Sequence, residues 1–219
     1  MTKDTTLYKA ADQTFYSLAG MNYAGSATGT TGEDTINLQT TLTDLLAANT
    51  TITNTNRGLI FSDQGGNDTT AGTDYNDFFW LSAGDDSING GAGTQDRVAL
   101  YWAPSTTAGA ASISIDRTTT GVVKVNQTQN SVVTELVRFT LNSTNVNDKY
   151  WTAENKSTTF AYSFSGTNVS FGTDTLRGIE QAVLILPSTL LDTSGNPMVT
   201  LTGTPSLANN AFVVDLPTS

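Results

Sequence analysis

Residues 63–99 read DQGGNDTTA GTDYNDFFW LSAGDDSIN GGAGTQDRVA, four units in succession with one extra residue in the last. Asp68, Asp77 and Asp86 recur every nine residues and Asp96 follows after ten, while Gly66, Tyr75, Gly84 and Gly93 keep a spacing of nine throughout. Two residues beyond each aspartate stand Thr70, Phe79, Ile88 and Val98. Each unit is a glycine-rich turn followed by a very short strand. Glycine serves there because φ turns positive or because backbone carbonyls crowd together. The residue two beyond the aspartate shares its face of an extended chain and points inward. Successive turns fall on opposite edges of a coil, so unit one lies over unit three and unit two over unit four. A lone Gly-Asp-Asp is an ordinary β-turn; four in register make a stack.

Outward from this stretch, the chain reads as all-β. Beyond residue 103 come alternating segments, ASISID, GVVKVN, SVVTELVRFTL, TFAYSFS, QAVLIL and AFVVDL, separated by turns rich in Thr, Asn and Gly, which predict mostly antiparallel strands. In SVVTELVRFTL the β-branched and aromatic residues favour a strand over a helix. Before the repeat, helix-like spacing occurs around Phe15 and Leu18 and again at Leu38, Leu42, Leu45 and Leu46. The chain therefore divides into an N-terminal segment, 1–57, the repeat, 58–102, and a β-rich region, 103–219. At 219 residues it can bury a sizeable core without disulfides, and one continuous body is expected.

Composition excludes whole classes of chemistry. With no cysteine and no histidine there is no thiolate nucleophile, no Cys-based zinc site and no imidazole base. A net charge of -10 argues against nucleic acid and favours cations as partners. No run of apolar residues is long enough for a transmembrane segment, and the first residues show no apolar signal core between basic flanks.

Between residues 58 and 115 there are seven aspartates against one arginine, a net of -6. Unneutralised, these carboxylates oppose compaction, and cations lodged between turns two units apart remove the repulsion. Calcium fits better than magnesium, because it accepts six to eight oxygens in flexible geometry. Candidate ligands in the repeat are Asp63, Gly66, Asn67, Asp68, Asn76, Asp77, Gly84, Asp85, Asp86, Gly93 and Asp96. Folding and metal binding are expected to be coupled, with a dissociation constant on the order of 0.1 to 1 mM.

The pattern resembles the nonapeptide G-G-x-G-x-D-x-U-x of the RTX (repeats-in-toxin, hemolysin-type calcium-binding) proteins, most closely in SAGDDSING and GGAG. GTTGEDTIN fits the same pattern through Gly29, Gly32, Asp34 and Ile36, and adds Asp34 as a ligand candidate, with no stacking partner visible in the sequence. GTDTLRGIE, residues 172–180, is similar to a segment that follows such repeats and belongs to their β cap. The resemblance implies a short calcium-binding parallel β-roll continued by a mostly antiparallel, sandwich-like region with minor helix near the N-terminus. It also implies export by a type I secretion system that reads a C-terminal signal, with which NNAFVVDLPTS is compatible.

Asp85 and Asp86 could be read as a catalytic carboxylate pair, but neighbours on a strand point to opposite faces. Phe78, Phe79 and Trp80 could stack on a sugar, although alternate members of such a run ordinarily fill a core. The expected function is therefore non-enzymatic: a secreted calcium-binding structural protein, self-associating or bound to cell-surface polysaccharide, in a surface layer, extracellular fibre or biofilm matrix. Two further readings remain open, a calcium-dependent module of a larger secreted hydrolase, toxin or adhesin, and a glycan-binding module.

Overall fold

The computed structural model describes residues 23–48, 56–62, 64–101, 111–145, 147–157, 171–185, 199–202, 207–208 and 211–217. The expected helix around Phe15 and the TFAYSFS strand lie outside these residues. In chain order the elements are β1 (Gly25–Thr28), β2 (Thr35–Asn37), α1 (Leu38–Ala48), β3 (Leu59–Ser62), β4 (Thr69–Ala71), β5 (Phe78–Trp80), β6 (Ser87–Asn89) and β7 (Arg97–Tyr101). They continue with β8 (Ala111–Asp116), β9 (Val122–Gln129), β10 (Val132–Asn142), β11 (Tyr150–Asn155), β12 (Thr173–Arg177), β13 (Gln181–Ile185), β14 (Val199–Thr202), β15 (Leu207–Ala208) and β16 (Ala211–Asp215). The protein is all-β apart from one helix among the described residues, and both of its sheets are mixed.

One sheet runs in the order β1, β3, β5, β7, β13, β16, β15, and the other β14, β8, β9, β10, β11, β12, β6, β4, β2. From β1 to β7 the chain crosses between sheets at every turn, and each strand from β3 onward pairs in parallel with the strand two before it. Ile60 lies beside Phe78, Thr70 beside Ile88 and Phe79 beside Val98, so the last step is one residue longer and absorbs the extra residue of the fourth unit. Unit one thus lies over unit three and unit two over unit four.

After β7 the chain departs to build β8 to β11, an antiparallel extension of the second sheet, and then returns. On its return β12 pairs in parallel with β6, and β13 with β7. At the other end, β1 and β2 pair in parallel with β3 and β4. Both expected segment boundaries therefore run through shared sheets. The β9–β10 hairpin closes through Asn130 and Ser131, both at positive φ (51° and 63°), the turn whose twist matches that of paired strands.

The helix follows β2 directly. Asn37 caps it, its Oδ1 accepting the N–H of Thr40 at 3.1 Å. Leu38, Leu42 and Leu45 recur on one helical stripe and are buried in the main core, so α1 lays its apolar face against the coil near β1 and β4.

The two sheets differ in their sequences for a physical reason. Strands of the second sheet alternate, with Ile36, Thr70, Ile88 and Leu176 buried between the sheets and polar neighbours facing out. The inner strands of the first sheet, β3, β5, β7 and β13, carry apolar residues on both faces. Phe61, Phe79 and Val98 enter the main core, whereas Ile60, Phe78, Ala99 and Val183 form a second cluster on the opposite face with Tyr23. There the Tyr23 ring meets Phe78 edge-on at 5.9 Å, and Phe78 meets Trp80 at 5.5 Å. The FFW run thus fills two cores rather than one surface.

Candidate functional site

The turns stack along two edges of the coil, and each edge carries a ladder of acidic side chains. On the first edge, the N–H of Asp34 donates to Asp68 Oδ1 at 2.6 Å, the N–H of Asp68 to Asp86 Oδ1 at 2.8 Å, and the N–H of Asp86 to Asp174 Oδ1 at 2.9 Å. Asp68, Asp86 and Asp174 are all buried. A second, outer ladder runs beside it: the N–H of Asp85 donates to Asn67 Oδ1 at 3.0 Å and the N–H of Thr173 to Asp85 Oδ1 at 2.8 Å. Asp85 is exposed while Asp86 is buried, the opposite orientation expected of neighbours on an extended chain.

Glycine makes this spacing reachable. Gly66 and Gly84 adopt φ of 108° and 136°, and a Cβ on Gly84 would collide with the carbonyl oxygen of Gly66 one rung away. A Cβ on Gly172 would in turn strike the Gly84 carbonyl and the Asp85 carboxylate. The column Gly32, Gly66, Gly84, Gly172 is therefore a line of close backbone approaches.

On the second edge, the N–H of Leu59 donates to Asp77 Oδ1 at 2.6 Å, the N–H of Asp77 to Asp96 Oδ1 at 2.6 Å, and the N–H of Asp96 to Glu180 Oε2 at 2.8 Å. Asp77 also closes its own turn, accepting from the Thr73 N–H at 2.5 Å and the Thr73 hydroxyl at 3.2 Å. Asn76 Oδ1 accepts from the N–H groups of Thr94 and Gln95 at 2.9 and 3.0 Å, so the extra residue of the fourth unit is tied back to the second. Gly93 lies against Asp96: a Cβ there would fall 2.5 Å from Asp96 Oδ2, and one on Gly90 would fall 2.7 Å from the same oxygen.

Burial dominates the electrostatics of this edge. It pushes the carboxyl of Asp77 up to about 6 and that of Asp96 up to about 8, against the pull of the N–H groups that donate to them. The charges of Asp77 and Glu180 add to the rise at Asp96, and burial raises Glu180 as well. Asp34, at the outer end of the first ladder, is held below the usual carboxylate range by the Thr30 N–H and hydroxyl, which donate to its Oδ2 at 2.7 and 2.8 Å.

Of the residues singled out in the sequence, Asp34, Asp68 and Asp86 share one column with Gly66 and Gly84, flanked by Asn67 and Asp85. Asp77 and Asp96 share the other with Asn76 and Gly93. Asp63 lies outside the described residues. Asp34 has a stacking partner after all, Asp68, which the sequence concealed because the helical excursion between β2 and β3 lengthens that step. Asp174 and Glu180 complete the two ladders and were not among the expected ligands. Gly172-x-Asp174-x-Leu176 repeats the spacing of Gly84-x-Asp86-x-Ile88, which is the signal that marks Asp174.

Among the described residues no three acidic side chains converge as a self-sufficient metal site. A cation on these edges would need backbone oxygens as well as carboxylates. The donor set fits such an ion at Asp96, whose Oδ2 is buried, has no hydrogen-bond partner among the described residues and faces a hollow that only glycines leave open. All donors there are hard oxygens, the set calcium prefers. Compared with known proteins, the chain matches no protein family, no curated protein and no solved structure.

Proposed function

We propose that the chain is a secreted structural protein of the RTX type, whose two-edged coil is a calcium-binding parallel β-roll that folds outside the cell. The observation that carries this reading is Asp96: a fully buried carboxylate with one oxygen lacking a partner among the described residues, beside two further acids, Asp77 and Glu180. Burying such a charge costs several kcal/mol unless it is neutralised. Calcium supplies that neutralisation and ties successive turns together. On the second edge Asp96 Oδ2 would be its carboxylate contact, and on the first edge Asp34, Asp68, Asp86 and Asp174 would each contribute singly along the ladder, with turn carbonyls completing each set. The protein's own contribution is to bring its glycines into register and to fix each carboxylate by an N–H from the preceding rung.

The experiment is a calcium titration of chelator-treated protein followed by circular dichroism. Strand signal should grow with calcium in the submillimolar to millimolar range, and Asp96→Asn should shift the midpoint upward. An identical spectrum and melting temperature with and without chelator would sink the reading. That outcome would instead support a ladder that holds without metal, a reading favoured by Asp77, whose two oxygens are both engaged by N–H and hydroxyl donors.

A place in a surface layer, fibre or biofilm matrix is supported by β1 and β2, which end their sheets with no further strand among the described residues and offer edges for pairing. Among the described residues no helix is long and apolar enough to cross a membrane. Light scattering and electron microscopy in calcium test assembly; a monodisperse monomer at high protein concentration would overturn it.

A further inference from the structure

The second unit breaks its own repeat, and a pocket lies at the break. Where the first, third and fourth units place Gly66, Gly84 and Gly93, the second places Tyr75. Gly66 and Gly84 on the first edge take positive φ, whereas Tyr75 and Gly93 on the second do not, so the turns of the second edge follow another path and a side chain is tolerated at position 75. Beside it lies a cavity of about 250 Å³, open to solvent, walled by Asn56, Arg57, Asp74, Tyr75, Asn76 and Gly93. These come from three stacked segments of the second edge, those before β3, β5 and β7.

The walls are fixed in advance. The Asp74 N–H is held by Gln39 Oε1 of α1 at 2.9 Å. Tyr75 is pinned by Thr73, whose hydroxyl accepts its N–H at 3.0 Å and donates to its carbonyl at 3.2 Å, and its ring leans on the main core. Asn76 Oδ1 is taken by the Thr94 and Gln95 N–H groups, so what Asn76 offers a ligand is its Nδ2 donor. An aromatic ring, two carboxamides, a guanidinium and a carboxylate around a small rigid hollow are the groups that pair with vicinal hydroxyls and pack against the C–H face of a sugar ring. Arg57 and Asp74 cancel in charge, and a chain of net charge -10 repels polyanions.

We infer that this pocket binds one ring of a neutral saccharide, with Tyr75 as the stacking platform and Asp74, Arg57 and Asn76 as hydroxyl partners. The site shares its turns with the proposed calcium edge, but its lining chemistry stands without a metal. Its occupant is therefore a neutral cell-surface or matrix polysaccharide, engaged through a single ring at a time.

The test is a heteronuclear NMR titration of the whole folded chain with methyl glucoside, methyl galactoside and methyl mannoside, each up to about 50 mM, where single-ring affinities are measurable. At least one sugar should shift the amides of residues 73–76 and 92–95 in a saturable way. Tyr75→Gly places there the residue used by the other units and removes the ring; with its fold checked by the dispersion of the same amide spectrum, it should weaken binding at least about tenfold. Asp74→Ala, at an exposed position, should weaken it as well. Absence of saturable shifts with all three sugars, or undiminished binding by Tyr75→Gly, overturns the inference. Running the titration with calcium and with chelator separates the two readings. Sugar shifts in a chain that folds equally well without calcium keep this site and reject the calcium one, and calcium-dependent folding without sugar shifts does the reverse.

Discussion

The backbone N–H of Asp86 donates to Asp174 Oδ1 at 2.9 Å, joining the repeat to a residue that the chain reaches only after building four antiparallel strands. Asp174 therefore occupies the rung after Asp86, although nothing near it in sequence repeats in tandem. Removing its side chain should act on the repeat itself. Asp174→Ala strands a buried N–H donor and is expected to cost about 1–3 kcal/mol in urea unfolding without calcium. Asp174→Asn keeps an acceptor and should cost less under those conditions, yet raise the calcium midpoint because the charge is gone.

The carboxyls of Asp77 and Asp96 stand at about 6 and about 8 against an unfolded value of 3.8, so the folded, metal-free state holds protons that the unfolded state releases. Their contribution to stability is fully present below about pH 4 and is lost as pH rises through about 6 and then about 8. The melting temperature of metal-free protein should therefore climb as pH falls from about 8.5 to about 5. Calcium, by competing with those protons, should flatten the slope or invert it. Calorimetry at several pH values, with and without the ion, reads both; a metal-free melting temperature that falls across this interval would contradict the assignment.

Thr70 stands where Ile36 and Ile88 flank it in the same inward row, and its buried hydroxyl has no hydrogen-bond partner among the described residues. Thr70→Val should accordingly stabilise the protein by about 1 kcal/mol, seen as a higher urea midpoint at unchanged slope.

Glycines at equivalent turn positions should differ sharply in tolerance. Gly84 has φ of 136° and lies under the Gly66 carbonyl, so Gly84→Ala should cost at least about 3 kcal/mol or prevent folding. Gly32 begins the column, and a Cβ there meets only the Thr30 hydroxyl at 4.0 Å. Gly32→Ala should cost less than about 1 kcal/mol. Equal losses in the two variants, measured by chemical unfolding, would refute the one-sided overlay of rungs.

The repeat was legible because three positions keep its period, and its stacking order followed from strands of three residues joined by turns. The helix at Leu38–Ala48 was legible from leucine spacing, and SVVTELVRFTL from its β-branched residues, becoming β10. The pairing of the outer rungs was not. Asp34 lies on Asp68 across a helical excursion, and Glu180 beside Asp96 across β8 to β12, so no fixed spacing links them. Local pattern reports turns that follow one another directly and is blind to chain that leaves and returns. Nor could it foresee that FFW serves two cores, since which strands present two apolar faces depends on what covers the outer one.

Interior rungs share one parallel strand pairing and one N–H to carboxylate contact, whereas the ends are fixed by α1 on one side and by the returning strands β12 and β13 on the other. A second copy of residues 69–86, set in after Asp86, would supply one more strand to each sheet and one more buried carboxylate to the inner ladder of each edge. The coil would lengthen by about 4.8 Å with both termini of the stack untouched. Tandem duplication within a gene can thus adjust the reach of this molecule in whole increments.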